Sequence, residues 1–249
     1  MTQPLKDKIA VVTGGGGGIG SAICRRLAAA GMHVVITYSR SQDRAEAVAR
    51  SLPGEKHLVM HCPVDDSAAQ ARLAQAIAQT YGTLDILVNN AGITRPVPHA
   101  DLDSLDDDLI DSIFRVNVRG TLASVRALKD LLLTGDGGLV VNISSIAART
   151  AVGSNVAYCA SKAAIDNVTM SLARALAPKI RVVSVAPGWV NGEYAQRMPP
   201  EYVQQQRDLT PLRRIAEAED VAEAIYAVAV HLPFTTGAVI PVDGGRPLT

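Results

Sequence analysis

The sequence predicts one α/β domain spanning residues 1–249, built as a doubly wound sheet of about seven parallel strands with helices on both faces. Two patterns lead to it. Seven short apolar runs recur along the 249 residues, most of them β-branched and unalternating, as in strands buried on both faces of a parallel sheet. Between them lie longer segments with helical spacing, such as AICRRLAAAG, DRAEAVARSL, AAQARLAQAIAQTYG and VAEAIYAVAVHL. Strand, helix, strand repeated along a chain folds through right-handed crossovers into a sheet covered on both sides.

The first strand is IAVV at 9–12, and TGGGGGIG at 13–20 separates it from the first helical segment. Glycine loses more conformational entropy on folding than any other residue, so five in succession require a reason. A flexible tether is one reason; the other is a turn whose backbone approaches the pyrophosphate of a dinucleotide, as in a Rossmann-type domain. Gly14, Gly18 and Gly20 are spaced for the tight turn, the phosphate approach and close helix packing, whereas Gly15, Gly16 and Gly17 occupy positions that many side chains could fill. No Gly-Lys-Ser/Thr follows, which excludes a P-loop.

The second strand, HVVIT at 33–37, leads into Tyr38-Ser39-Arg40, and the third, HLVMH at 57–61, into Pro63-Val64-Asp65-Asp66. The fourth, LDILV at 84–88, is followed by Asn89-Asn90-Ala91-Gly92; a helical stretch near 105–133 then carries Asn117 within FRVNVRGT. The fifth, GLVVNI at 138–143, runs into Ser144 and Ser145, and a second long helix near 155–178 carries Tyr158 and Lys162. The sixth, IRVVSV at 180–185, precedes Pro187-Gly188, and AVIPV at 238–242 is the seventh. Residues 191–212 are polar and broken by prolines, so they read as a lid of short helices; Tyr194, Met198 and Tyr202 within it either face a substrate or pack onto the domain.

Composition removes several functions. The 24 basic and 24 acidic residues cancel, leaving no field to attract nucleic acid or an anionic membrane. The apolar runs fall short of a membrane span and MTQPLKDKIAVV carries no secretory pattern, so a cytoplasmic location is expected. Cys24, Cys62 and Cys159 lack metal-ligand spacing and read as free packing thiols in a reducing compartment. His33, His57, His61, His99 and His231 are scattered, and no metal is expected. His57 and His61 read as solvated strand ends, and His99 as a loop residue able to approach a substrate.

Tyr158 and Lys162 stand four apart and share one helical face. An ammonium beside a phenol favours phenolate and brings the tyrosine pKa toward working pH. Alone, the pair also describes an ordinary half-exposed helix face. Here it comes with TGGGGGIG, Asn89-Asn-Ala-Gly92, Asn117, Asn142-Ile-Ser-Ser145 and Pro187-Gly188, in that order. The set resembles the short-chain dehydrogenases/reductases from residue 5 to residue 246, and within them the 3-oxoacyl-acyl-carrier-protein-reductase-like branch.

The resemblance implies a catalytic tetrad of Asn117, Ser145, Tyr158 and Lys162. Tyr158 is the general acid or base, Lys162 lowers its pKa and holds the nicotinamide ribose, Ser145 polarises the substrate oxygen, and Asn117 orders a water linking Lys162 to solvent. Ser145 lies thirteen residues before Tyr158, as in that branch, and Ser144, pointing to the opposite face, is structural. It also implies cofactor contacts from Gly14, Gly18, Ile19, Gly20, Val64, Asn90, Ala91, Gly92, Pro187, Gly188 and Val190, besides Tyr158 and Lys162.

Tyr38 stands where NAD-preferring members carry an aspartate for the adenosine ribose, and Ser39 and Arg40 are able to bond a 2′-phosphate, which favours NADP(H) over NAD(H). One departure weakens this, Gly17 in place of a basic residue common in NADP-preferring members; two others bear on cofactor contacts in general, Pro63 in place of an aspartate that reads adenine and Gly192 in place of a threonine that touches the phosphates. The expected activity is hydride transfer between a nicotinamide and a carbonyl or secondary alcohol, such as a ketone or a 3-oxoacyl thioester. An NAD-dependent alcohol or dihydrodiol dehydrogenase and a non-catalytic cofactor sensor are the alternatives. An acidic carrier protein would need Arg119, Arg126, Arg197 or Arg207 to converge. Apolar residues on the two long helices exceed one inward stripe; they either cover the sheet or, as the resemblance implies, pair across two-fold axes into a 222-symmetric homotetramer, or at least a dimer.

Overall fold

The structure, a computed structural model, describes residues 4–248; the side chain of Tyr194, expected to face a substrate or pack onto the domain, lies outside the described residues. The chain alternates as the sequence predicts: β1 (Ile9–Val12), α1 (Gly18–Ala29), β2 (His33–Tyr38), α2 (Gln42–Ser51), β3 (Leu58–His61), α3 (Ser67–Thr80) and β4 (Ile86–Asn89). There follow α4 (Asp107–Ile113), a π-helical segment (Phe114–Arg119), α5 (Gly120–Leu132), β5 (Gly138–Ile143), α6 (Ala147–Thr150) and α7 (Val156–Leu176). β6 (Ile180–Pro187), α8 (Glu193–Gln196), α9 (Pro200–Asp208), α10 (Ala218–Val230) and β7 (Val239–Val242) complete the order, with a 3₁₀ turn at Arg246–Leu248.

The seven strands form one parallel sheet in the order β3-β2-β1-β4-β5-β6-β7. Successive residues of a strand face opposite sides, and the register turns this alternation into rows. Val35, Val11, Leu87, Val140 and Val182 are paired across the sheet and pack on α3, α5 and α7 through Leu73, Ile77, Leu128 and Ala173. The next row, Ile36, Val12, Val88, Val141 and Val183, packs on α1, α2 and α10 through Ile23, Leu27, Val48, Val221 and Ile225. Burial on both faces holds for β1, β4 and β5 but not for the edges, where β3 and β7 are only partly covered. Each outer strand has one neighbour, and the helices cover the middle of the sheet more completely than its rims.

Two expectations are corrected. His57 is not a solvated strand end. Its Nδ1 accepts the Val34 N–H at 3.1 Å and its other nitrogen lies 3.1 Å from the Pro53 carbonyl, so the ring carries its proton on Nε2 and extends the β2–β3 edge. Nor do Gly15 and Gly16 have room for side chains. A Cβ on Gly15 would come within 2.9 Å of Cys24 Sγ and Ile36 Cγ2; one on Gly16 would lie 3.1 Å from the backbone nitrogen of Ala45. The first turn of α2 presses directly on the glycine turn. Gly17 alone of the three has open space, with only Arg44 near it.

Candidate active site

β1 and β4 are neighbours in the sheet but not in sequence, and the loops leaving their C-terminal ends diverge to opposite sides. Thr13, buried at the end of β1, ties those loops together: its hydroxyl accepts the N–H groups of Asn90 and Ala91, both at 3.0 Å. The Asn90 side-chain amide donates back to the carbonyls of Thr13 and Gly14 at 2.9 and 3.1 Å. Gly14 and Gly18 have φ of +66° and +49°, backbone that side chains rarely adopt. A Cβ on Gly20 would overlap the Gly14 carbonyl, whereas nothing lies within 4 Å of one on exposed Gly18. Gly14, Gly20, Asn90 and Ala91 are thus held together at the N-terminus of α1, beside Ile19, where backbone N–H groups and the helix dipole favour an anion. The residues fit a dinucleotide pyrophosphate.

Beside this cradle, α7 begins. Asn155 is its N-cap: fully buried, its Oδ1 accepts the Tyr158 N–H at 2.6 Å and its Nδ2 donates to the Arg95 carbonyl at 2.7 Å. This bond fixes where the helix starts and therefore which way Tyr158 and Lys162 point. Further along the same stripe, Asp166 accepts from Ser184 at 3.2 Å and Thr169 from Asn142 at 2.9 Å, anchoring α7 to β5 and β6 by buried polar contacts. Asn155, Thr13 and Asp166 went unread in the sequence. Only Asn155 left a signal, an asparagine three residues before the tyrosine at a helix start.

Lys162 is buried, and its ammonium donates to the Ile143 carbonyl at 2.7 Å while lying 5.6 Å from the centre of the Tyr158 ring. Burial pushes its pKa down from 10.5 to about 8, with Asp166 opposing the shift. Ser144 is buried and donates to the Lys162 carbonyl at 3.3 Å, whereas half-buried Ser145 accepts the Ala147 N–H at 3.2 Å. The Ser145 oxygen is thereby oriented and its own hydrogen remains available to a ligand.

Asn117 lies in the π segment, whose wider turn sets the buried side chain toward Ile93. Its Oδ1 accepts the Ile93 N–H at 2.8 Å, and its Nδ2 donates to the Ile93 carbonyl and to Ser161, both at 3.1 Å. The amide donors are thus committed to protein partners. A Cβ on Gly92 would sit 3.3 Å from Asn117 Oδ1 and 3.8 Å from Lys162 Nζ, so this glycine keeps open the space between them.

The other anticipated residues lie at or beyond the C-terminal ends of β2, β3, β4 and β6. Tyr38 is half-buried at the end of β2, with its ring 5.4 Å from that of His61, and Ser39 and Arg40 are exposed just beyond it. Val64 is buried against Gly120, where a Cβ would come within 2.6 Å of it. The Asp65 carboxylate accepts from Arg115 at 3.2 Å. Gly188 extends the β6–β7 ladder by donating to Val242, Pro187 accepts from Ile146, and Val190 bridges to Ala216. Gly192 has nothing within 4 Å of a would-be side chain. His99 lies on the exposed loop, its Nε2 3.2 Å from the Gly153 carbonyl. In the 191–212 stretch Met198 is half-buried, and exposed Tyr202 packs edge-on against Trp189 at 5.4 Å.

Arg119, Arg197 and Arg207 engage separate partners in Asp65, Glu193 and Gln204. The three cysteines are buried, and burial raises the Cys24 and Cys62 thiols to about 12 and 11. Among the described residues, no three His, Cys, Asp or Glu side chains group as metal ligands, and no helix is long and apolar enough to cross a membrane.

A glycine-rich turn at the switch point of a doubly wound sheet is where such folds bind a dinucleotide. Residues 14–246 match the family described as enoyl-(acyl carrier protein) reductase. The chain is 39% identical, over 99% of both lengths, to a protein described as ketoacyl reductase 2 of the granaticin polyketide synthase of Streptomyces violaceoruber. It is 33% identical to the 3-oxoacyl-acyl-carrier-protein reductase of Aquifex aeolicus, covering 98% of this chain and 99% of that one. A short-chain dehydrogenase from Burkholderia cenocepacia, solved in complex with NADP, superposes with a TM-score of 0.88 at 36% identity, over 97% and 98% of the two chains. The chain belongs to the short-chain dehydrogenase/reductase family.

Proposed function

We propose that the protein is an NADP(H)-dependent reductase of a ketone or 3-oxoacyl group, with Tyr158, Lys162, Ser145 and Asn117 as its catalytic machinery. The observation that carries the reading is the buried Lys162 ammonium, 5.6 Å from the Tyr158 ring at the edge of the glycine cradle. Gly14, Gly18, Ile19, Gly20, Asn90, Ala91 and Gly92 would hold the phosphates and inner ribose, and Pro187, Gly188 and Val190 the nicotinamide. The bound cofactor supplies the hydride. Tyr158 donates its phenolic proton to the substrate oxygen as negative charge develops there. Ser145 donates a second hydrogen bond to the same oxygen, which its bond from Ala147 leaves it free to do. Lys162 stabilises the phenolate left behind. The two short helices of 191–212 form a lid over the substrate.

The charge pattern after β2 supports NADP(H). No carboxylate stands at Tyr38-Ser39-Arg40 to repel a 2′-phosphate, and Arg40 is exposed. The relative solved with NADP and the ketoacyl and 3-oxoacyl reductases among the similar proteins agree with this reading. Parallel titration with NADPH and NADH, then a turnover screen over ketones, 3-oxoacyl thioesters and sugar alcohols, tests it. Arg40→Ala is expected to weaken NADPH binding about 10- to 150-fold while sparing NADH, the value of one charge-assisted hydrogen bond. Equal wild-type affinity for the two cofactors would assign NAD(H) instead.

The same reading includes a homotetramer working in the cytoplasm. Phe114, Leu122 and Leu133 on the stretch from the π segment through α5, and Val156 and Met170 on α7, are exposed, as are Leu232 and Phe234 after α10. Apolar surface at three places suits pairing across two-fold axes. Light scattering at micromolar protein is expected to return about four times the 26.2 kDa chain mass; a mass near one chain would overturn the assembly.

A further inference from the structure

Gly16 and Gly17 acquire a joint purpose once α2 is considered. Gly16 allows the backbone of Ala45 to press on the turn, and this close approach carries the preceding residue, Arg44, over Gly17. Arg44 Nη1 lies 3.8 Å from the position a Gly17 side chain would begin. A guanidinium reaching in from α2 therefore stands beside the turn at the position where Gly17 leaves the charge missing.

Arg44 is already bound to an anion. Its Nη1 pairs with Oε1 of Glu193 at the start of α8, and Oε2 of the same carboxylate lies 3.7 Å from Arg197. Glu193 thus reaches from the 191–212 lid to a cation at the glycine turn. All three side chains are more than half exposed, so the pairs themselves contribute little to stability and exchange readily. The Glu193 carboxylate is thus shared by two guanidinium groups, of which Arg44 stands beside Gly17. A phosphate monoester fits such a pair better than a carboxylate does, with about two charges and three acceptor oxygens.

We propose that Arg44 is a specificity residue that binds the 2′-phosphate of NADP(H) and releases Glu193 when that phosphate arrives. The inference rests on the NADP(H) reading above and deepens it. Arg44, reaching across from α2, replaces the basic side chain absent at Gly17 and adds to the exposed Arg40 that follows β2. Glu193 competes for the same guanidinium, so the 2′-phosphate is linked to the position of the lid.

The test is direct binding by calorimetry, using NADPH, NADH and the fragment adenosine 2′,5′-bisphosphate, on wild type, Arg44→Ala and Glu193→Gln. Arg44→Ala is expected to weaken NADPH and the bisphosphate about 10-fold or more and leave NADH within about two-fold. Glu193→Gln is expected to act oppositely, tightening NADPH and the bisphosphate several-fold with NADH unchanged, because the competing carboxylate is gone. A merely structural arginine would not produce that second result. Wild type that binds NADPH and NADH equally would sink the NADP(H) reading itself. Wild type that prefers NADPH, with the preference intact in Arg44→Ala, would overturn the role of Arg44 alone. Equal loss of both cofactors in Arg44→Ala would move Arg44 to the pyrophosphate, and a Glu193→Gln change that leaves NADPH no tighter would remove the competition.

Discussion

Tyr158→Phe is expected to reduce turnover by about 100- to 10,000-fold, the contribution typical of a general acid, while leaving the dissociation constant of the cofactor nearly unchanged. The ring remains, so packing at the start of α7 and the Asn155 bond to the Tyr158 backbone are untouched. Only the phenolic hydroxyl, and with it the transferable proton, is removed. The loss should therefore appear in kcat and kcat/KM together, which marks an interaction made in the transition state. Single-turnover kinetics with a hydride-donating cofactor separate this from binding. Retention of more than roughly a tenth of the wild-type rate would end the acid–base assignment.

The second large effect has two signs. Lys162→Met is expected to lower turnover by about 100-fold or more and to weaken the cofactor, yet to stabilise the fold at neutral pH. A folded-state pKa of about 8 against 10.5 means that the interior disfavours the ammonium by about 3 kcal/mol. The unfolded chain holds that proton more tightly, so the cost is fully present below about pH 8 and disappears as pH rises toward 10.5. Methionine fills the same channel without charge, though it leaves the Ile143 carbonyl without its donor, at about 1 kcal/mol or more. A net gain of about 1–2 kcal/mol at pH 7 follows, or a few degrees in Tm. Thermal unfolding of the cofactor-free protein across pH 7–10 checks it: the wild type should gain on the variant as pH rises. A variant less stable than wild type at pH 7 would show that the ammonium is better accommodated than its burial implies.

The fold class and strand number were legible because they depend on periodicity: seven apolar runs, most of them β-branched, alternate with helical segments, whereas the strand order was not read. The residues of the candidate site were legible for a different reason: Tyr158, Lys162, Ser145 and the glycine turn lie in short local patterns. What escaped depends on contacts between segments distant in sequence. Nothing around Thr13 announces that its hydroxyl will meet two amides 77 and 78 residues away. The crowding at Gly15 and Gly16 arises from Cys24, Ile36 and Ala45, which belong to three different elements. His57 read as a solvated end because its pattern was that of a strand terminus, and only the fold places Val34 in front of its ring nitrogen. Asn117 was recognised by its place in an ordered set, but its clamp on Ile93 follows from a π turn, which leaves no periodic trace in six residues.

The strand order also governs how this chain can be synthesised. β1 leaves the ribosome first yet lies in the interior of the sheet, between β2 and β4. One of its edges is covered as soon as His33–Tyr38 emerges, but the other waits for Ile86–Asn89. At about 5–20 residues per second, the nascent chain carries an unpaired strand edge for several seconds. The cradle cannot close in that interval, since Asn90 and Ala91, which fasten it to Thr13, are not yet made. A ribosome stalled before residue 86 would thus present a sticky half-sheet with no ligand site to steady it, and slow codons are best tolerated after β4.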